Sequence, residues 1–157
     1  MQSSQCPPVT VTPAGGVFSH RSMHDRAGLV SGLRALGLQS GASVMVHSSY
    51  KSIDGGVAGG PAAVVEALLE VVGEAGTLVL PTFTHSGTTH FDPLASPSLN
   101  GAITEAARTH PSAVRSWHPT HAVTAIGPNA EALVRDDMEH GALGKGSALD
   151  KHAKAGQ

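Results

Sequence analysis

The sequence predicts an α/β fold, a three-layer α/β/α arrangement around a mainly parallel or mixed sheet. Three observations carry that prediction. Two short unbroken apolar runs, 43–47 and 77–80, have the character of strands buried on both faces. Between them, 61–72 shows apolar residues at helical spacing, so the chain reads as a strand–helix–strand crossover. The apolar share of 40% over 157 residues is that of one globular domain with a core of its own.

Taken in order, residues 1–20 hold three prolines and no periodicity and read as a disordered arm. Ser22, with Asp25 three positions on, predicts a helix start of the capping-box kind. Leu29, Val30, Leu33 and Leu36 follow at helical spacing, and Gly37 suits the left-handed position after the last turn. Strand 43–47 empties into a loop, 48–60, with four glycines near its end. Pro61 opens the next helix, whose apolar stripe is Val64, Val65, Leu68, Leu69 and Val72, with Glu66 and Glu70 facing away. Strand 77–80 stops at Pro81. Residues 83–100 are polar and too long for a simple connection, a length that marks functional or mobile loops. A short helix over 101–109, a third strand over 122–126, and helices over 129–136 and 147–155 complete the reading, with Gly156 as a helix stop.

Composition narrows the function. Ten basic against twelve acidic residues give a net charge of −2, without the basic surplus that phosphate-backbone binding needs. No apolar run reaches the ~18–20 residues of a membrane span. The first twenty residues lack the basic start and apolar core of a signal peptide. Cys6, the single cysteine, has no partner in the chain, which fits a reducing, cytoplasmic setting. Nineteen glycines and ten prolines beside only 14% charged residues predict tight turns and a sparsely charged surface.

Three segments carry candidate chemistry. The first runs from Val46 to Gly60, a strand end followed by a glycine-rich loop and a helix N-terminus. Such an order can hold an anion, because outward N–H groups and the helix dipole both favour negative charge; Ser48, Ser49, Ser52 and Lys51 add donors. It can equally be a turn that merely needs glycine. Ser48 and Lys51 match Ser-x-x-Lys, but that nucleophile motif belongs on a helix and its partner motifs are missing here. Gly-x-Gly-x-x-Gly is absent, and the Lys145 segment has Glu139 where a P-loop needs glycine. The second segment joins Arg115, Trp117, His118 and His121 around Pro119; imidazole is the natural base near neutral pH. His118 with His121, or His85 with His90, could also ligate zinc, but no third ligand pattern supports it, and no metal is expected. The third is a second glycine loop, 141–147, ending in Ser147 as a helix cap or plain turn.

The order of these segments resembles one family closely. Val-His-Ser-Ser (46–49) is followed by Gly-Thr-Leu-Val-Leu-Pro-Thr-Phe-Thr (76–84), Phe-Asp-Pro (91–93) and Gly-Ala-Ile-Thr-Glu-Ala (101–106). Val-Arg-Ser-x-His-Pro-Thr-His (114–121), Ala-Ile-Gly-Pro (125–128) and Gly-Lys-Gly-Ser-Ala-Leu-Asp-Lys (144–151) complete it. Across nearly all of 23–157 this resembles the aminoglycoside 3-N-acetyltransferases, with 21–157 corresponding to the N-terminal part of their single domain.

The resemblance implies transfer of acetyl from acetyl-CoA to the 3-amino group of a 2-deoxystreptamine aminoglycoside. It implies that His47, Ser48, Ser49, Lys51, Gly55, Gly56, Gly59 and Gly60, with Thr82, Phe83 and Arg115, hold the acetyl-CoA. It gives His118 a supporting catalytic role beside the acetyl-CoA cleft; His121 is a further catalytic candidate that can equally serve to hydrogen-bond the start of the strand after it. Similar enzymes continue past this point with a further buried strand and a Leu-His-x-Ala-Glu-like segment that carries a catalytic histidine. The expectation is therefore a fragment, inactive alone, or a CoA-binding remnant without turnover. A small histidine-based hydrolase is a third reading, and it lacks a Gly-x-Ser-x-Gly elbow.

Overall fold

The computed structural model describes residues 22–84 and 90–155. The expected arm over 1–20, His85 and Gly156 lie outside them. Four strands form one mixed sheet: β1 (Ser43–Met45), β2 (Thr77–Pro81), β3 (Val114–Arg115) and β4 (Val123–Ile126), in the order β1-β2-β4-β3. β1 and β2 are parallel; β4 runs antiparallel to both β2 and β3. β3 is an addition to the three strands that the sequence predicts. It is two residues long and lies on the sheet's edge, too short to leave a period in the sequence.

The period-2 alternation of β2 separates two cores. Leu78 and Leu80 pack with Val65 and Leu68 of α2 (Gly60–Val72), Ile103 and Ala107 of α3 (Ala102–Arg108), and Ile126. Val79 faces the other way, with Val123 and Ala125, onto Ala130 and Leu133 of α4 (Ala130–Val134) and Ala148 of α5 (Ala148–Ala155). Helices thus cover both faces, as the three-layer prediction requires. α1 (Arg26–Ala35) adds an outer layer, packing Val30 against Ala67 and Val71 of α2. That explains why α2 is apolar beyond the expected stripe: it is wedged between the sheet and α1.

Several boundaries differ from expectation. The N-cap of α1 is Asp25, not Ser22; its carboxylate accepts from the Gly28 N–H at 2.7 Å. Residues ahead of it are extended, and His24 pairs with Val57. Gly37 takes the expected left-handed position (φ 95°), with Leu38 N–H donating to Leu33 O and Gly37 N–H to Arg34 O. Leu36, placed in the apolar stripe by sequence, is 86% exposed. α4 stops at Val134, because Asp136 turns left-handed (φ 60°) into a 3₁₀ turn, Asp137–Glu139. No helix among the described residues is long and apolar enough to cross a membrane.

Candidate active site

The strand directions gather the predicted site residues at one edge of the sheet. β1 and β2 end there, in Val46–Ser49 and Thr82–Thr84; β3 also ends there, and β4 begins there after His121. Ligands of open α/β sheets gather outside the carboxyl ends of parallel strands.

A cavity of about 380 Å³ opens at this edge, lined by Ser48, Ser49, Tyr50, Lys51, Leu99, Asn100, Gly101 and Ala102. One wall is the start of the loop after β1, where Tyr50–Ser52 forms a 3₁₀ turn. Ser48 Oγ is buried with no hydrogen-bond partner, an orphan polar atom beside the cavity that a ligand amide or hydroxyl would satisfy. Lys51 is exposed and supplies a positive charge at the rim.

The opposite wall is the end of the long polar segment 83–100, of which the sequence assigns only Phe83, at its start, to the acetyl-CoA site. It is fastened at each step. Phe83 N–H donates to Asn100 Oδ1 (2.6 Å), and Leu99 N–H to Phe83 O (2.9 Å). Ser98 N–H donates to Glu105 Oε2 (2.7 Å), and the Ser98 and Thr104 hydroxyls pair at 2.9 Å. Hydrogen bonding from Arg108, then from the Ser98 N–H, holds the Glu105 carboxyl below its ordinary pKa against the opposing effect of burial.

The predicted cofactor residues divide. Ser48, Ser49 and Lys51 line the cavity, and Phe83 supports its far wall. His47 is exposed just before Ser48. The glycines do not line it: Gly55, Gly56, Gly59 and Gly60 all have positive φ, and Gly56 and Gly60 N–H donate to Ile53 O and Val57 O. That half of the loop is closed on itself and tied to His24, whose N–H donates to Gly56 O and whose O accepts from Ala58 N–H. No side chain caps α2, so the helix N-terminus itself keeps its positive end open to an anion.

Thr82 is fully buried; its hydroxyl donates to Ala122 O and pairs with Thr124 Oγ1 at 2.9 Å. Arg115 is 7% exposed. Its guanidinium donates to Thr82 O (2.5 Å), Thr82 Oγ1 (3.2 Å), Ser96 O (2.5 Å) and Pro93 O (3.3 Å), and lies 5.2 Å from the Phe91 ring centre. Burial, then repulsion from Arg108, brings its pKa down to about 10. Arg115 therefore clamps the polar segment to β2.

His118 Nδ1 accepts from the Thr120 and His121 N–H groups at 3.3 and 3.0 Å. A neutral ring then carries its proton on Nε2. His121 Nδ1 pairs with Thr120 Oγ1 at 2.9 Å, and its ring centre lies 4.7 Å from that of Phe83, tilted by 53°, and 5.7 Å, edge-on, from that of His118. Among the described residues, no group of three or more His, Cys, Asp or Glu is placed to hold a metal ion.

Comparison with known proteins shows the family. The family model for aminoglycoside 3-N-acetyltransferase matches residues 45–156. Aminoglycoside N(3)-acetyltransferase VIII of Streptomyces fradiae is 36% identical over 152 residues, covering 83% of this chain and 53% of that one. Enzyme VII of Streptomyces paromomycinus is 39% identical over 140 residues, covering 74% and 48%. Among solved structures, AAC-IIIb in a binary complex with CoASH superposes with a TM-score of 0.77 at 29% identity, covering 85% of this chain and 57% of that one. A mutant of AAC(3)-IVa in complex with a gentamicin gives 0.81 at 30%, covering 87% and 52%. The chain spans about half the length of the curated relatives it matches. It belongs to the aminoglycoside 3-N-acetyltransferase family.

Proposed function

We propose that this chain supplies the acetyl-CoA site of an N-acetyltransferase acting on the 3-amino group of 2-deoxystreptamine aminoglycosides, a resistance activity of the cytoplasm. In that reaction the amine nitrogen forms a bond to the thioester carbonyl carbon. The C–S bond breaks, and the proton lost by the amine ends on the CoA sulfur. The observation that carries the reading is the cavity between Ser48–Lys51 and Leu99–Ala102, with an orphan serine hydroxyl beside it and a lysine at its rim. Hydroxyl and backbone groups suit the pantetheine amides, and the Lys51 ammonium at the rim suits phosphate. The relative solved with CoASH supports the same reading.

The test is calorimetric titration of the chain with CoA. Ser49→Ala with Lys51→Ala should weaken binding at least tenfold, and an unchanged Kd would remove the assignment. The second reading, CoA binding without turnover, is favoured by one observation. With Nδ1 taken by two amide donors, a neutral His118 offers a proton at Nε2 rather than a base. Acetylation of gentamicin by the purified chain would exclude it.

A further inference from the structure

The cavity wall opposite Ser48 holds the dipeptide Asn100–Gly101, and each residue answers a structural need. The Phe83 N–H needs an acceptor, and Asn100 Oδ1 supplies it at 2.6 Å. That bond fixes the carboxamide with its oxygen on the backbone, and Nδ2 has no partner among the described residues. Gly101 stands at φ 111° and ψ −179°, a region that glycine alone occupies readily. Its N–H has no acceptor among the described residues, and none of their atoms lies within 4 Å of where a Cβ would stand. Gly101 is exposed and Asn100 half-buried, so water reaches the pair.

A backbone nitrogen that follows asparagine is a nucleophile one ring closure away from the carboxamide carbon. Hindrance is least when that nitrogen belongs to glycine, which has no Cβ. Here the Phe83 N–H adds the electrophilic half: a donor on Oδ1 stabilises the negative charge that attack on Cγ places there. Asn129, the other asparagine of the chain, precedes Ala130, and its side chain makes no cap hydrogen bond. It is a comparison built into the same molecule.

We propose that Asn100 is a site of spontaneous covalent modification, at which loss of ammonia leaves a carboxylate on the wall of the cavity. Hydroxide takes the Gly101 N–H proton, and the nitrogen bonds to Asn100 Cγ. The Cγ–Nδ2 bond breaks, and ammonia leaves with a proton from water, giving a cyclic imide. Water then opens the ring at either carbonyl, leaving aspartate or isoaspartate at position 100. Nothing is oxidised or reduced; carboxamide and water become carboxylate and ammonium. The aspartate keeps an oxygen for the Phe83 N–H, so the wall stays fastened while its charge changes. The consequence rests on the acetyl-CoA reading: a carboxylate facing a polyanion should weaken CoA binding about tenfold.

The test is peptide mass spectrometry of the 157-residue chain held folded at mildly alkaline pH, with calorimetric CoA titration of the same samples. Asn100 should gain the mass of an NH2-to-OH exchange roughly tenfold faster than Asn129, or more, because Ala130 carries a Cβ. The rate should rise in proportion to hydroxide and be no slower than in the urea-unfolded chain. Part of the product should be isoaspartate, which an isoaspartate-specific methyltransferase labels. Asn100→Gln, which must close a ring one atom larger, should not gain that mass. Asn100→Asp should weaken CoA binding about tenfold with an unchanged circular dichroism spectrum. The CoA Kd of the ageing wild-type chain should rise in step with its mass gain, which makes the same comparison without a variant. Equal rates at Asn100 and Asn129, or a rate that rises markedly on unfolding in urea, overturns the site. A CoA Kd unaltered both by Asn100→Asp and by ageing overturns the consequence. Failure of the fresh wild-type chain to bind CoA instead removes the acetyltransferase reading, while the mass gain still decides the modification.

Discussion

Replacing Arg115 with methionine should both destabilise the fold and loosen the proposed CoA cavity. Methionine keeps most of the apolar stem's packing, so the change isolates the guanidinium. Its loss orphans three carbonyls, of Thr82, Pro93 and Ser96, at least two of them in buried surroundings. Hydrogen bonds to charged donors contribute about 1.5–3 kcal/mol each, but burying the cation already costs part of that, as the fall of its pKa to about 10 records. The net loss should be about 3 kcal/mol, near the low end of what breaking a buried charged network costs. For a domain of this size that is a fall in Tm on the order of 10 °C. Thermal unfolding followed by far-UV circular dichroism measures it. Arg115→Lys keeps the charge without the planar fork and should recover less than half of the loss. Because the clamp holds 93–96 against β2, CoA affinity should fall together with stability, and proteases should cut within 90–101 first. A Tm within about 3 °C of wild type, or full recovery by lysine, would refute the clamp.

Other consequences follow from single contacts. Gly127 sits at φ 131°, and an added Cβ would lie 2.3 Å from Gly76 O, so Gly127→Ala should cost about 3 kcal/mol in a urea titration. The neutral form of His118 should be the Nε2–H tautomer; a nitrogen-detected NMR correlation showing an Nδ1–H tautomer would contradict the two amide bonds to Nδ1. Burial lowers the pKa of His152, whose Nδ1 lies 3.3 Å from Ser43 Oγ. The unfolded chain then takes up the proton first as pH falls below 6.5, so stability is full above that pH and declines beneath it. His152→Asn should flatten the change in urea midpoint between pH 7.5 and 5.5, and an unchanged slope would place the acid sensitivity elsewhere.

The parts of the fold that were legible in the sequence are those that repeat a period over several residues. β2 and α2 announce themselves because each buries a regular apolar set, and Gly37 because only one backbone position suits it. β3 was not legible: two residues on an edge leave no pattern, and its identity comes from pairing Val114 and Arg115 with β4. Asp25 displaced Ser22 as N-cap because the segment before it pairs with Val57, a contact set by tertiary structure. Of the residues lining the candidate cavity, Ser48 and Lys51 are legible through the strand–loop–helix order. Asn100 was not, because its role depends on a bond to Phe83, seventeen positions away.

The central claim is that the cavity between Ser48–Lys51 and Leu99–Ala102 takes CoA. Amide chemical-shift mapping of the labelled chain during titration with CoA tests it most directly. The account predicts saturable shifts concentrated at Ser48, Ser49, Lys51, Leu99, Asn100 and Gly101, with little change at Gly56 and Gly60, whose N–H groups are already engaged. Shifts centred on Gly55–Gly60 alone, or none at saturating CoA, would contradict it.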